Sequence, residues 1–198
     1  VLEIALMKAI KSKVFDRIVI NTDDPLLEKI AIKMNVDFYL RQKELASSNA
    51  TSDQVVLDFF NNNNGDQIFW LNTVSPLQTI KDIRNFVEIA QEANWNSGVS
   101  INTAHVHAVC DDKTLNFKWE SGFARTQDLR AVKYFNYAMM GWNRTMINKL
   151  RKGQLFDHNT KLIESSKWSS FLLKNQYDME LIKMLSKIAP DQGLKKEK

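Results

Sequence analysis

Phe15-Asp16-Arg17-Ile18-Val19-Ile20-Asn21-Thr22-Asp23-Asp24-Pro25 is the stretch whose reading decides the fold. Ile18, Val19 and Ile20 are a β-branched run suited to a short buried strand. Polar Asn21, Thr22 and Asp23 close that strand. Asp24 before Pro25 then has the form of a helix start: the carboxylate can accept an otherwise orphaned N–H, and proline occupies the first helical position, where no N–H is needed. A strand that passes through a polar loop straight into a helix is the repeating unit of a parallel α/β sheet.

Working outward, the same rhythm recurs on both sides. Leu2, Ala5, Leu6, Ala9 and Ile10 recur at helical spacing, so residues 1–12 form an amphipathic helix carrying Glu3, Lys8, Lys11 and Lys13. The helix after Pro25 runs to about Met34, and residues 37–40 are the next strand. Thr51 or Ser52 caps a helix through Phe60, which dies in the asparagine run 61–64 and Gly65. Residues 67–71 form a strand, Thr79 and Asp82 resemble a capping box for a helix over 80–92, and residues 98–102 are a strand again. From about His105 the rhythm breaks. Residues 111–117 look like a hairpin turn, and 131–142 is a long apolar stretch without helical period. A helix over 143–150, a strand over 161–164 and a helix over 177–188 stopped by Pro190 complete the chain.

These elements predict one domain over residues 1–198, a three-layer α/β/α Rossmann-like fold with a mainly parallel sheet and an irregular insertion near 104–150. The length of 198 residues suffices for a sizeable core. No apolar run approaches the ~20 residues that span a bilayer, and the opening residues are an amphipathic helix rather than a signal peptide, so a cytoplasmic protein without membrane partners is expected. The single cysteine, Cys110, excludes an internal disulfide framework and fits a reducing compartment. One cysteine and three scattered histidines build no structural zinc site at the usual spacings. The net charge of +4 is modest and partly carried by the tail 193–198, read as a solvated end, and no nucleic acid is expected as partner.

An open parallel sheet binds its ligand beyond the carboxyl ends of its strands. That rule selects the loops at 21–24, 41–52, 72–78 and 102–107. Asp23 and Asp24 there are read as a helix start before a metal pair. His105 and His107 share a face at a strand end, where a satisfied polar face is the simpler reading. Phe117, Trp119, Phe123, Tyr134, Phe135, Tyr137 and Trp142 are read as core and interface aromatics of the insertion.

The same loops carry a resemblance. Phe15–Asp24 is similar to a segment FDRIVVSTDD. Leu40-Arg41-Gln42-Lys43-Glu44-Leu45-Ala46-Ser47 with Ala50-Thr51-Ser52 is similar to LRPxELAS followed by AS(S/T). Leu71-Asn72-Thr73-Val74-Ser75-Pro76-Leu77-Gln78 stands where LQPTSPLR is expected, and Gln127-Asp128-Leu129 with Asn136 resembles RQDLP…NGA. Together they resemble the acylneuraminate cytidylyltransferases, also called CMP-sialic acid synthetases. The resemblance implies a nucleotide-diphospho-sugar transferase fold and transfer of CMP from CTP to a nonulosonic (sialic-acid-type) acid, with pyrophosphate released. It also implies a homodimer, in which the insertion of one subunit reaches over the other's site. Arg41 and Ser52 take the nucleotide-binding positions, with Arg41 alternatively paired to Glu44. Asn72, Ser75, Gln127 and Asn136 take the substrate-binding positions.

Several positions depart from the pattern. The family's opening strand and Gly/Arg/Lys-rich phosphate loop would precede Val1. Magnesium is expected from the family, but its late DIDxxxD motif aligns with residues 172–178, where Leu172 and Lys174 replace aspartates and only Asp178 remains. Gln78 replaces an arginine, Tyr137 a glycine, and Cys110 and Tyr134 stand where a lysine and an arginine are expected. No catalytic residue and no metal ligand is therefore assigned. The alternative is a catalytically degenerate member acting as a nucleotide- or sugar-binding scaffold.

Overall fold

The computed structural model describes residues 1–92, 94–121 and 123–191; the expected solvated tail at 193–198 lies outside them. Helix α1 (Leu2–Ser12) leads into strand β1 (Val19–Thr22), and α2 (Glu28–Met34) returns the chain to β2 (Asp37–Leu40), parallel to β1. Asp24 accepts from the N–H of Leu26 at 2.9 Å, and Pro25 opens a short 3-10 turn that feeds α2. This is the decisive stretch folded as its residues dictate. Helix α3 (Ser52–Asn62) precedes β3 (Gln67–Leu71), and α4 (Ile80–Ala90) precedes β4 (Ser97–Ala104). Two short strands, β5 (Val109–Cys110) and β6 (Lys113–Thr114), make a hairpin turning at Asp111 and Asp112, both with positive φ. After them come β7 (Val132–Asn143), α5 (Ile147–Leu150), β8 (Lys161–Glu164) and α6 (Gln176–Leu185). Among the described residues no helix is long and apolar enough to cross a membrane.

The larger sheet has the order β3-β7-β4-β8. β7 is antiparallel to both β3 and β4, and β8 is parallel to β4, so β3, β4 and β8 share one direction. The stretch with no helical period is thus a central strand. Successive residues of β7 face opposite sides of the sheet. Met140 and Trp142 pack with Val56 and Phe60 of α3, whereas Met139 packs with Ile83 and Phe86 of α4. Two apolar layers therefore cover the two faces, the three-layer α/β/α arrangement the alternation implies. Side chains crowd the two glycines where β4 meets β7. A Cβ on Gly141 would stand 2.8 Å from the Phe69 ring, and one on its pairing partner Gly98 would stand 3.0 Å from Ile163. Arg144 holds the end of α3, donating to the carbonyls of Phe60, Asn63 and Gly65 while its guanidinium lies 5.1 Å from the Phe60 ring centre.

One open choice is settled and three local expectations are corrected. Thr51, and not Ser52, caps α3; its N–H donates to Gln54 at 3.0 Å, and Ser52 becomes the exposed first helical residue. Thr79 accepts from the N–H of Asp82, but the Asp82 carboxylate turns outward from the helix to Ser166 and Ser169 instead of completing a box. Residues 143–150 split into a 3-10 turn, Arg144–Met146, capped by Asn143, and the single turn of α5. His105 and His107 lie beyond the end of β4 and do not share a strand face: His105 Nδ1 is 3.2 Å from the Leu129 carbonyl, and the His107 ring stacks on Phe123 at 3.9 Å.

Candidate functional site

A cavity of about 380 Å3 opens between β1 and β3. Asn21, Arg41 and Asn72, each at or just past the carboxyl end of a strand, line it. Arg41 is placed by its own main chain, whose N–H donates to Thr22 at 2.7 Å and extends the β1–β2 pairing by one residue. Its guanidinium turns back over β1, with Nη1 3.5 Å from Asn21 Oδ1 and Nη2 3.8 Å from Asp23 Oδ1. The anchor is Asp23 rather than the Glu44 that the local sequence suggests. Arg41 Nε is buried and has no hydrogen-bond partner. A buried donor left unpaired is a costly feature that a ligand acceptor would relieve.

Asn72 stands beside a second polar feature. Its N–H donates to the Ala138 carbonyl at 3.0 Å, and its Oδ1 accepts from Val74 at 3.3 Å to shape the turn leaving β3. Opposite Ser100 the β4–β7 register shifts between Val99 and Ile101, a bulge formed by residues 136–139. Asn136 fills the gap this leaves in the ladder. Its Oδ1 accepts from Ser100 Oγ at 2.6 Å and from the Ala138 N–H at 3.0 Å, while its Nδ2 donates to Asn102 and Ser165 at 2.6 and 2.7 Å. The side chain is 2% exposed and fully paired. Tyr137, where the resemblance expects glycine, has φ 55°, the left-handed conformation that glycine adopts freely.

Ser75 is buried and donates to the Ser169 carbonyl at 2.7 Å, tying the turn after β3 to the 3-10 turn Lys167–Ser170. Asp82 reinforces that tie from α4. Burial pushes its carboxyl up, and hydrogen bonds from the Ser166 hydroxyl and N–H and from Ser169 and Thr79 outweigh this and hold it below the ordinary carboxylate value. Gln127 lies apart from both features, exposed in the 3-10 turn Thr126–Asp128. The structure thus brings Arg41 and Asn72 to one cavity, sets Asn136 and Ser75 behind it as buried supports, and leaves Ser52 and Gln127 on the surface.

Residues 172–178 do not fit a magnesium site. Asp178, the one carboxylate retained there, is engaged as part of the α6 cap, accepting from the N–H groups of Lys174 and Asn175 at 2.8 and 3.0 Å. Leu172 offers no ligand atom, and the Lys174 ammonium would repel a cation. Among the described residues no group of three or more His, Cys, Asp or Glu side chains is arranged to hold a metal ion.

The residue that sequence reasoning missed is Lys8. It is 2% exposed, and its Nζ donates to the carbonyls of Pro76 and Gln78 at 2.7 Å each, so α1 braces the turn that follows Asn72. Burial lowers its pKa to about 8 against the opposing fields of Asp191 and Asp82. No local signal marks it, because its partners lie about 70 residues further along the chain.

A family model described as cytidylyltransferase matches residues 1–191. The chain belongs to the cytidylyltransferase family. Among its curated relatives, an N-acylneuraminate cytidylyltransferase of Streptococcus agalactiae serotype III (strain NEM316) is 27% identical over 169 residues, covering 80% of this chain and 40% of the relative. The protein of the same name from serotype V (strain ATCC BAA-611 / 2603 V/R) is 27% identical over 172 residues with the same coverage. The chain therefore spans about 40% of the length of these relatives. Two solved structures share the fold. CMP:2-keto-3-deoxy-manno-octonic acid synthetase complexed with CTP superposes with a TM-score of 0.67 at 8% identity, covering 92% of this chain and 86% of that one. The 4-diphosphocytidyl-2C-methyl-D-erythritol synthase of Anaerococcus prevotii DSM 20548 superposes with a TM-score of 0.66 at 11% identity, covering 91% and 85%.

Proposed function

We propose that this protein supplies the nucleotide and sugar-acid site of a cytidylyltransferase that transfers CMP from CTP to a nonulosonic acid. In that reaction the anomeric oxygen of the sugar bonds to the α-phosphorus, the bond from that phosphorus to the bridging oxygen breaks, and pyrophosphate leaves; the hydroxyl proton passes to solvent. The work of such a site is positioning and charge stabilisation. The observation that carries the reading is Arg41, a lining residue of the cavity at the strand ends whose buried Nε has no partner within the protein. Held beside the cavity by Asn21 and Asp23, the Arg41 guanidinium keeps further N–H donors for a cytosine or ribose oxygen. Ser52, relieved of capping by Thr51, offers a free hydroxyl to the nucleotide. Asn72 is the substrate contact, and Ser75 and Asn136 hold its surroundings in place.

The region between β4 and β7 takes the second role in this proposal. Trp119 and Phe123 are 64% and 77% exposed there, an unusual display of aromatic surface. The reading is that this insertion packs against a second copy and carries Gln127 over that copy's site. The relatives named for sialic-acid activation, at 27% identity, support the sugar class.

Calorimetry with CTP tests the nucleotide site. Arg41→Ala is expected to weaken CTP binding by about 10- to 150-fold, the loss of one or two charge-assisted hydrogen bonds. Equal affinity in the variant removes Arg41 from the site. Pyrophosphate release with CTP, magnesium and a panel of nonulosonic acids tests turnover. A second reading, binding without turnover, is favoured by the commitment of Asp178 to a helix cap, and CTP binding with no pyrophosphate release across the panel would establish it.

A further inference from the structure

Helix α6 is apolar on two faces. Ile182, Leu185 and Ala189 pack with Leu77, Trp168 and Phe171 in the core. Tyr177, Leu181, Met184 and Ile188 lie on a different face and are 47–84% exposed. The helical path continues beyond Leu185, because the Ala189 N–H donates to the Leu185 carbonyl at 2.9 Å, and this brings Ile188 into line with the other three. Their intervals of four, three and four residues are the d-a-d-a spacing of a coiled-coil seam, narrower than the stripe of a helix that serves one core. Such a seam is covered by a second helix.

We propose that this seam is a contact between two copies of the chain, in which their α6 helices pack antiparallel about a two-fold axis passing between Leu181 and Met184. Charge selects both the occupant and the direction. In the register set by the seam, Glu180 and Lys187 both stand at g, seven residues apart on one flank. Both are exposed, and among the described residues neither forms an ion pair within its own chain. Antiparallel helices bring g beside g, so Glu180 of each copy meets the partner's Lys187 and one two-fold axis closes both pairs. A parallel pair would set g beside e, placing Glu180 against Leu185 and leaving it without a cation. The same axis sets Leu181 against the partner's Met184 and Tyr177 against the partner's Ile188, so every member of the seam is covered. On the other flank Phe171, Leu172 and Leu181 line a hollow of about 330 Å3, which adds apolar surface to the contact. Four seam residues a copy make a small interface, for which a Kd on the order of 0.1 mM is expected. The proposal concerns helix pairing alone and is independent of the reaction and of the insertion.

Sedimentation velocity tests it on the 198-residue chain carrying Trp119→Lys and Phe123→Lys, which silence the insertion surface. That chain is expected to pass from monomer to dimer between about 10 µM and about 1 mM. Leu181→Lys should abolish the passage while the far-ultraviolet spectrum is unchanged. Glu180→Lys and Lys187→Glu, both at exposed positions, should each weaken association at least about fivefold. Mixing these two variants in equal amounts should restore it, because each then offers the charge the other lacks. A monomer at about 1 mM overturns the proposal, as does association that Leu181→Lys leaves intact. Charge variants without effect, or without recovery on mixing, overturn the antiparallel two-fold pairing. Methyl groups of Leu181 and Met184 already shielded from a soluble paramagnetic probe in the dilute chain also overturn the proposal, because the occupant then belongs to the same chain.

Discussion

Tyr137 is the second of the residues 136–139 at which the β4–β7 ladder is broken, and its φ of 55° carries a steric penalty of about 1–2 kcal/mol for a side chain with a Cβ. Its ring is 45% exposed and meets Phe135 edge-on at 5.5 Å. Comparing Tyr137→Ala with Tyr137→Gly separates ring from backbone, since both remove the ring. Glycine is expected to be the more stable of the two by about 1 kcal/mol in urea denaturation, the reverse of the usual order within a strand. Equal stability would show that the bulge relaxes when the ring is lost. The same scale explains why Asn136 was visible as a site residue in the sequence while its role was not. An asparagine that meets all of its hydrogen-bonding capacity within the protein, against Ser100, Asn102, Ser165 and Ala138, holds the bulge and has nothing left for a ligand.

At the scale of elements, α1 is docked by a buried cation. The helix packs on α4, where Arg84 donates to the carbonyls of Ser12 and Lys11, and on the 76–78 turn through Lys8. The Lys8 ammonium retains its proton to about pH 8 in the folded protein and to its ordinary 10.5 when unfolded. Between those values the unfolded state binds more protons, so the Lys8 contribution to stability rises with pH across that window. The stability difference between wild type and Lys8→Met should therefore shift in favour of wild type between pH 7 and pH 10, with the other titrations cancelling in the difference. A difference that stays flat would mean that Lys8 is solvated in the folded state. Gly141 shows how tightly another element is set: β7 lies so near the Phe69 ring that Gly141→Ala is expected to destabilise by about 1–3 kcal/mol through overpacking, read as a lower urea midpoint at unchanged slope.

For the whole molecule, the exposed aromatics between β4 and β7 set the expected assembly. His107, Phe117, Trp119 and Phe123 form one aromatic cluster, with Trp119 and Phe123 turned largely to solvent. If this surface joins two copies, Trp119→Lys with Phe123→Lys should convert a dimer to a monomer in light scattering while the far-ultraviolet spectrum is unchanged. A wild type that is monomeric at high concentration would remove the insertion from the assembly.

What could be read without tertiary structure was what neighbouring residues decide among themselves. The period of Leu2, Ala5, Leu6 and Ala9, the β-branched Ile18-Val19-Ile20 and the Asp24-Pro25 helix start each encode their element within a few residues, and the alternation of such elements selects the layered α/β fold. Pairing partners are encoded nowhere locally. The run 131–142 carries no period because its later part, residues 138–142, is buried on both faces, and only antiparallel contacts with β3 and β4 make it a strand. The candidate site divides along the same line. Arg41 and Asn72 were legible as polar residues at strand ends, a position set by order along the chain. That Arg41 leans on Asp23, that Lys8 is buried and that Asn21 and Asn72 line one cavity are decided by groups apart in sequence, whose charges and hydrogen bonds meet only when the chain is folded.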